Sequence, residues 1–157
     1  MMRSEILIQN NYIIHKKTCA IIAEKMIQSG KDIFVDDLIK LGDEIKEGYK
    51  GISYSKLSYD KVEKECHMEQ KKINKASETL VTKILLGPTS LVPAYDRFAK
   101  RAMKKFGISC SFGKKSLDQL SKFVEANSEA IYDVQEIVEK ECNIKYPVMK
   151  IVDMFLW

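Results

Sequence analysis

Seven Gly and three Pro in 157 residues are few for turns. A many-stranded β fold would need more of both at its reversals, so the scarcity favours long helices joined by few loops. The four Cys (Cys19, Cys66, Cys110, Cys142) are scattered and no Cys-x-x-Cys occurs. Paired ligand spacing of a structural zinc site is therefore missing, and so is a disulfide framework. The two His, His15 and His67, are equally far apart, so no metal and no cofactor is expected. Cys66 and His67 are neighbours, and on the helix expected there they would point in different directions. No apolar run approaches the length that spans a bilayer, and Met1-Met2-Arg3-Ser4 does not open a signal peptide. No phosphate-cradling Gly loop, nucleophile elbow or paired-carboxylate motif is present. A reducing, cytoplasmic setting without membrane association is the expectation.

What remains is the composition of an ordinary globular chain, with 45% apolar and 31% charged residues. It is long enough for one all-α domain of six to eight helices over 1–157, or for two small lobes meeting near 87–96. The formal charge of +4 identifies no partner, but its distribution is uneven. Between 97 and 115 lie Arg97, Lys100, Arg101, Lys104, Lys105, Lys114 and Lys115 with no Asp or Glu, whereas 32–69 is predominantly acidic. The basic stretch is a candidate nucleic-acid contact, or a solvated face that pairs with acidic groups of this molecule or a partner.

Hydrophobic periodicity predicts helices over 4–28, with Ser4 as cap, and over 34–50, with Leu38, Leu41, Ile45 and Tyr49 inward. Residues 51–58 read as a loop. Residues 59–86 read as helical, polar in the first half, broken somewhere in 67–75, and apolar from Ile73 onward. Gly87-Pro88 is expected to end that helix. Tyr95–Lys105 should follow as a basic amphipathic helix burying Phe98, Ala102 and Phe106. Phe106–Gly113 reads as a loop with two exposed aromatics. Ser116 should cap the next helix, and 128–142 should bury Ile131, Val134, Ile137 and Val138. The final helix starts at Val148. Its apolar ending predicts docking into the core, an oligomer interface, or a chain that continues past Trp157.

The pivot is Val92-Pro93-Ala94-Tyr95-Asp96. Pro93 holds the preceding residue extended, and Asp96 falls at the mouth of the next helix, where a carboxylate meets unpaired amides and the positive dipole end. Residues Leu80–Phe98 resemble a recurring stretch of the helix-hairpin-helix DNA glycosylase superfamily, nearest its 8-oxoguanine glycosylase branch. There an apolar-Pro step places the catalytic Asp at the start of a helix. The ending Asp153-Met154-Phe155-Leu156-Trp157 is similar to an Asp-x-x-Leu-Trp ending in that branch. The resemblance covers about a sixth of the chain. It implies DNA as partner, Asp96 as the catalytic carboxylate, and a Schiff-base lysine, for which Lys75 is nearest in spacing and Lys72 and Lys83 are further off. Arg97, Lys100, Arg101, Lys104, Lys105, Lys114 and Lys115 would then meet phosphates, and Tyr95 or Phe112 could stack on a base. The family's Gly-containing hairpin loop is replaced here by Cys66–Asn74, which has no Gly. A second reading, from a different class, makes the chain a non-catalytic helical protein-interaction module in which the corner is purely architectural. Oligomeric state is open under both.

Overall fold

The computed structural model describes residues 20, 22, 24, 35–59, 62 and 64–157. Most of the helix expected over 4–28, with its Ser4 cap, lies outside the described residues. Residues 20, 22 and 24 are helical and Ile22 is fully buried. The described chain runs α1 (Val35–Gly48), β1 (Ser53–Tyr59), β2 (Cys66–Lys72), α2 (Glu78–Thr89), α3 (Arg97–Lys105), α4 (Lys114–Ala126), α5 (Ser128–Cys142) and α6 (Val148–Leu156). The fold is all-α, with one two-stranded hairpin as the exception among the described residues.

α1 follows its sequence pattern. Leu38, Leu41 and Ile45 recur on one face and are buried, with Tyr49 just beyond, and Asp36, Asp43, Glu44 and Glu47 stay exposed. The hairpin departs from expectation. The loop expected at 51–58 and the polar helix expected after 59 are instead paired antiparallel strands, in register from Ser53 opposite Lys72 to Tyr59 opposite Cys66. Every residue of β2 is exposed, so no apolar face anchors it as a helix. Its main-chain groups that face β1 are bonded across the ribbon. Two bonds tie the ribbon to the core, Gly51 N–H to the Ile73 carbonyl at 2.8 Å and Ile73 N–H to the Ile52 carbonyl at 2.9 Å.

The second departure is at the end of α2, which runs through Gly87 and Pro88 to Thr89. Pro88 falls in the last turn, where losing one N–H costs a single ladder bond. Hydroxyls satisfy the final carbonyls: Thr89 Oγ1 donates to the Leu85 carbonyl at 2.6 Å, and Ser90 Oγ to that of Leu86 at 3.3 Å. The left-handed cap falls on Ser90, with φ 52° and ψ 27°, and its N–H also bonds the Leu86 carbonyl.

Two hydrophobic clusters organise the molecule. The first joins Ile22, the buried stripe of α1, Ile73, Ala76, the inward residues of α2, Val92 and Leu117. The second joins Tyr95, Ala99, Met103, Ile108, Leu120, Ile131, Ile151, Val152 and Leu156. Phe112 packs against both, with its ring edge-on to Tyr95 at 5.7 Å. Its side chain is half-buried and not exposed as the loop pattern predicts. α3 is also rotated from its predicted facing. Ala99 and Met103 are its buried residues, and Phe106 is 50% exposed. α5 likewise buries Ile131 and Gln135, leaving Val134 and Ile137 exposed. The last helix docks through Ile151, Val152 and Leu156, and packs on α3 and α5.

Gly42 explains how Phe112 reaches α1. A Cβ at Gly42 would sit 2.7 Å from Phe112 Cε1 and 3.5 Å from Val81 Cγ1, so only a bare Cα admits the ring. Gly42→Val is expected to destabilise the fold by about 1–3 kcal/mol through overpacking, read from the urea midpoint at unchanged m-value.

Candidate functional site

The corner at 92–96 is held from four directions. Two threonines, on the face of α2 that meets it, do most of this. Tyr95 N–H donates to Thr82 Oγ1 at 2.8 Å, and the Tyr95 carbonyl accepts from Thr79 Oγ1 at 2.8 Å. Thr82 Oγ1 in turn donates to the Glu78 carbonyl at 2.8 Å, so the buried hydroxyl uses both capacities. One residue earlier, Ala94 N–H donates to Asp153 Oδ1 of α6 at 2.7 Å. The Tyr95 hydroxyl donates to Ser116 Oγ of α4 at 2.8 Å. Ser116 Oγ also bonds Gly113, accepting from its N–H and donating to its carbonyl. Ser116 thus lies buried in the first turn of α4, whose cap position is Gly113 and not Ser116.

Asp96 is the N-cap of α3. Its Oδ1 accepts from Phe98 N–H at 3.0 Å and Ala99 N–H at 3.1 Å, satisfying two of the orphan donors at the helix start. Its Oδ2 lies 3.5 Å from Lys83 Nζ on α2, and the Asp96 side chain is only 15% exposed. The amine that meets this carboxylate is therefore Lys83. Lys75 is exposed in the connection between β2 and α2, and no ion pair joins it to Asp96. Lys72 ends the ribbon. Spacing along one chain pointed to Lys75. It ranks Lys83 behind Lys75 because α2 lies alongside the corner, which a linear offset does not encode.

The basic residues divide. Lys100 is engaged within the molecule, its Nζ 2.7 Å from Glu78 Oε2, where it fastens α3 to α2. Arg97, Arg101, Lys104, Lys105, Lys114 and Lys115 are exposed, and among the described residues none enters an ion pair. The Arg97 guanidinium lies 4.6 Å from the Phe98 ring centroid, and Phe98 in turn meets Trp157 at 5.5 Å. Lys114 and Lys115 stand in the first turn of α4, at the positive end of its dipole. Tyr95 is fully buried against Phe112, which closes the base-stacking role considered for it. Cys66 and His67, expected on a helix, are on a strand. Among the described residues no three His, Cys, Asp or Glu side chains converge to hold a metal, and no helix is long and apolar enough to cross a membrane.

The two stretches that carry the glycosylase resemblance meet in space, through the Ala94–Asp153 bond and the Phe98–Trp157 contact. No family model, no curated protein and no solved structure matches the chain.

Burial drives the Tyr95 phenol up to about 12, and the Ser116 hydrogen bond only partly offsets it. Unfolded tyrosine titrates near 10. The unfolded chain therefore loses this proton first, and the stability that the neutral phenol contributes below pH ~10 is lost as pH rises through ~12. Thermal melts between these values should fall more steeply for wild type than for Tyr95→Phe. Separately, Thr82→Val keeps the side-chain shape but orphans the Tyr95 amide. It should cost about 1–3 kcal/mol in urea unfolding, more than Thr79→Val, which leaves only a carbonyl short of a donor.

Proposed function

We propose that this chain is a DNA-directed helical protein that grips the phosphate backbone through Arg97, Arg101, Lys104, Lys105, Lys114 and Lys115. The observation that carries the reading is this exposed, acid-free run from α3 into the start of α4. Cations free of internal ion pairs release counterions on meeting phosphates, which is the main source of sequence-independent affinity. At the start of α4 the free amides and the dipole add to the attraction for an anion, whereas two lysines there repel one another and the dipole. The cytoplasm is the proposed setting, in keeping with the free thiols of Cys66, Cys110 and Cys142.

A second reading, base excision of the helix-hairpin-helix glycosylase kind, is favoured by one observation, the Lys83 amine 3.5 Å from Asp96. In that reading the target nucleotide leaves the stack. Asp96 supports the developing sugar cation as the glycosidic bond breaks and the base leaves with a proton. Lys83, in place of Lys75, gives up its own proton, bonds the sugar C1′, and becomes a Schiff base as the sugar ring opens. The alternative of a non-catalytic protein-interaction module leaves Asp96 as cap and ion-pair partner only.

One experiment separates these. Binding to fluorescent duplex DNA over a salt series should show a steep log–log slope, reduced by about 1 for each lysine lost in Lys104→Ala/Lys105→Ala. Borohydride trapping on a duplex with an abasic site should leave a covalent complex that Lys83→Ala abolishes and Lys75→Ala retains. Binding without trapping removes the excision reading and leaves the DNA reading intact. No binding at low salt removes both.

A further inference from the structure

Next to the end of α3, whose Phe106 meets Phe155, α5 and α6 enclose a groove of about 400 Å³ whose floor is almost entirely apolar. Ala130, Ile131 and Val134 form one wall, and Ile151 and Phe155 form the other. Phe123 of α4 ends it, and Asn127 supplies the one amide in the lining. Phe123 and Phe155 belong to an exposed aromatic ridge with Phe106, with ring centroids 5.3, 5.7 and 6.0 Å apart. Val134 is 43% exposed and Phe155 61%, so the rim is open to solvent, while Ile131 and Ile151 below it are buried members of the second cluster.

Charge identifies what the groove suits. α5 carries Glu129, Asp133, Glu136, Glu139 and Glu141, all exposed, against a single base, Lys140, which lies 3.7 Å from Glu136. Glu129, Asp133 and Glu136 recur at four- and three-residue steps and share one stripe of α5, a carboxylate edge that adjoins the apolar wall where Asp133 follows Ala130 by three. Duplex DNA is repelled by such an edge. A symmetric pairing with a second copy through α5 would set the same carboxylates against each other. An amphipathic helix with a lysine- or arginine-rich polar face satisfies both parts, placing apolar side chains on the floor and cations along the edge.

We infer that the α5–α6 groove is a docking site for a basic amphipathic helix of a partner protein, independent of the DNA-directed reading. The test uses the full chain at about 0.15 M salt, where loose charge pairing is screened. The probes are a fluorescent 18-residue Leu/Lys amphipathic helical peptide and its Leu/Glu counterpart, with binding read by anisotropy. The Leu/Lys peptide should bind at least roughly tenfold more tightly. Ala130→Trp, which fills the groove from an exposed position, should weaken it by about tenfold with the far-UV CD unchanged. Val134→Lys, also exposed, should do the same and guards against a folding defect in the first variant. Lys104→Ala/Lys105→Ala, which removes cations next to the aromatic ridge, should not weaken Leu/Lys peptide binding. Equal affinity for both peptides, or binding indifferent to Ala130→Trp and Val134→Lys, overturns the inference. So does a wild-type dimer in sedimentation that Ala130→Trp dissociates, since the occupant is then a second copy.

Discussion

The Tyr95 backbone is the constraint on which the rest of the structure depends. It sits in a short connection that no helix or sheet ladder serves, yet both its polar groups are bonded to threonine hydroxyls of α2. A buried peptide group without such partners would cost as much as several favourable contacts return. Thr79 and Thr82 therefore fix where α3 starts and in which direction it leaves. The side chain continues the same function, since its hydroxyl on Ser116 orients the first turn of α4 and its ring packs on Phe112. With Ala94 held by Asp153, four helices take their positions from three consecutive residues.

This arrangement bears directly on function. α3 is a nine-residue helix with two basic residues in its last turn, and a helix that short has little stability of its own. It is held at its start by the Asp96 cap, along its side by Lys100 on Glu78, and underneath by Ala99 and Met103. The remaining cations are thus presented on a rigid support. Acidic character is concentrated elsewhere, on α1 and α5. The molecule is polar in its charge layout even though its net charge is small.

Much of this was legible in the residues. The α1 stripe, the 128–142 helix and the Pro93–Asp96 step all follow from local pattern, because each is decided by periodicity or capping within a few residues. The hairpin was not legible. Met68–Lys72 is made of residues that favour helices, and only the pairing of 66–72 with 53–59, a non-local partner, settles it as a strand. The end of α2 was misread for a different reason. Gly-Pro is a strong stop signal, but Thr89 and Ser90 supply hydroxyls to the last carbonyls and let the helix run on. At the site, Asp96 was found from its place at a helix mouth. Its partner Lys83 lies thirteen residues earlier along α2, and that proximity exists only once the two helices pack.

Amide hydrogen exchange at Ala94 and Tyr95 tests the central claim most directly. These amides lie outside the helical ladders, where exchange is ordinarily fast. If the corner is the fixed point of the fold, both should exchange only through global opening, with the same free energy as the core amides of α2 and α6. Exchange at the pace of an unprotected loop, while α2 and α6 remain protected, would contradict the account.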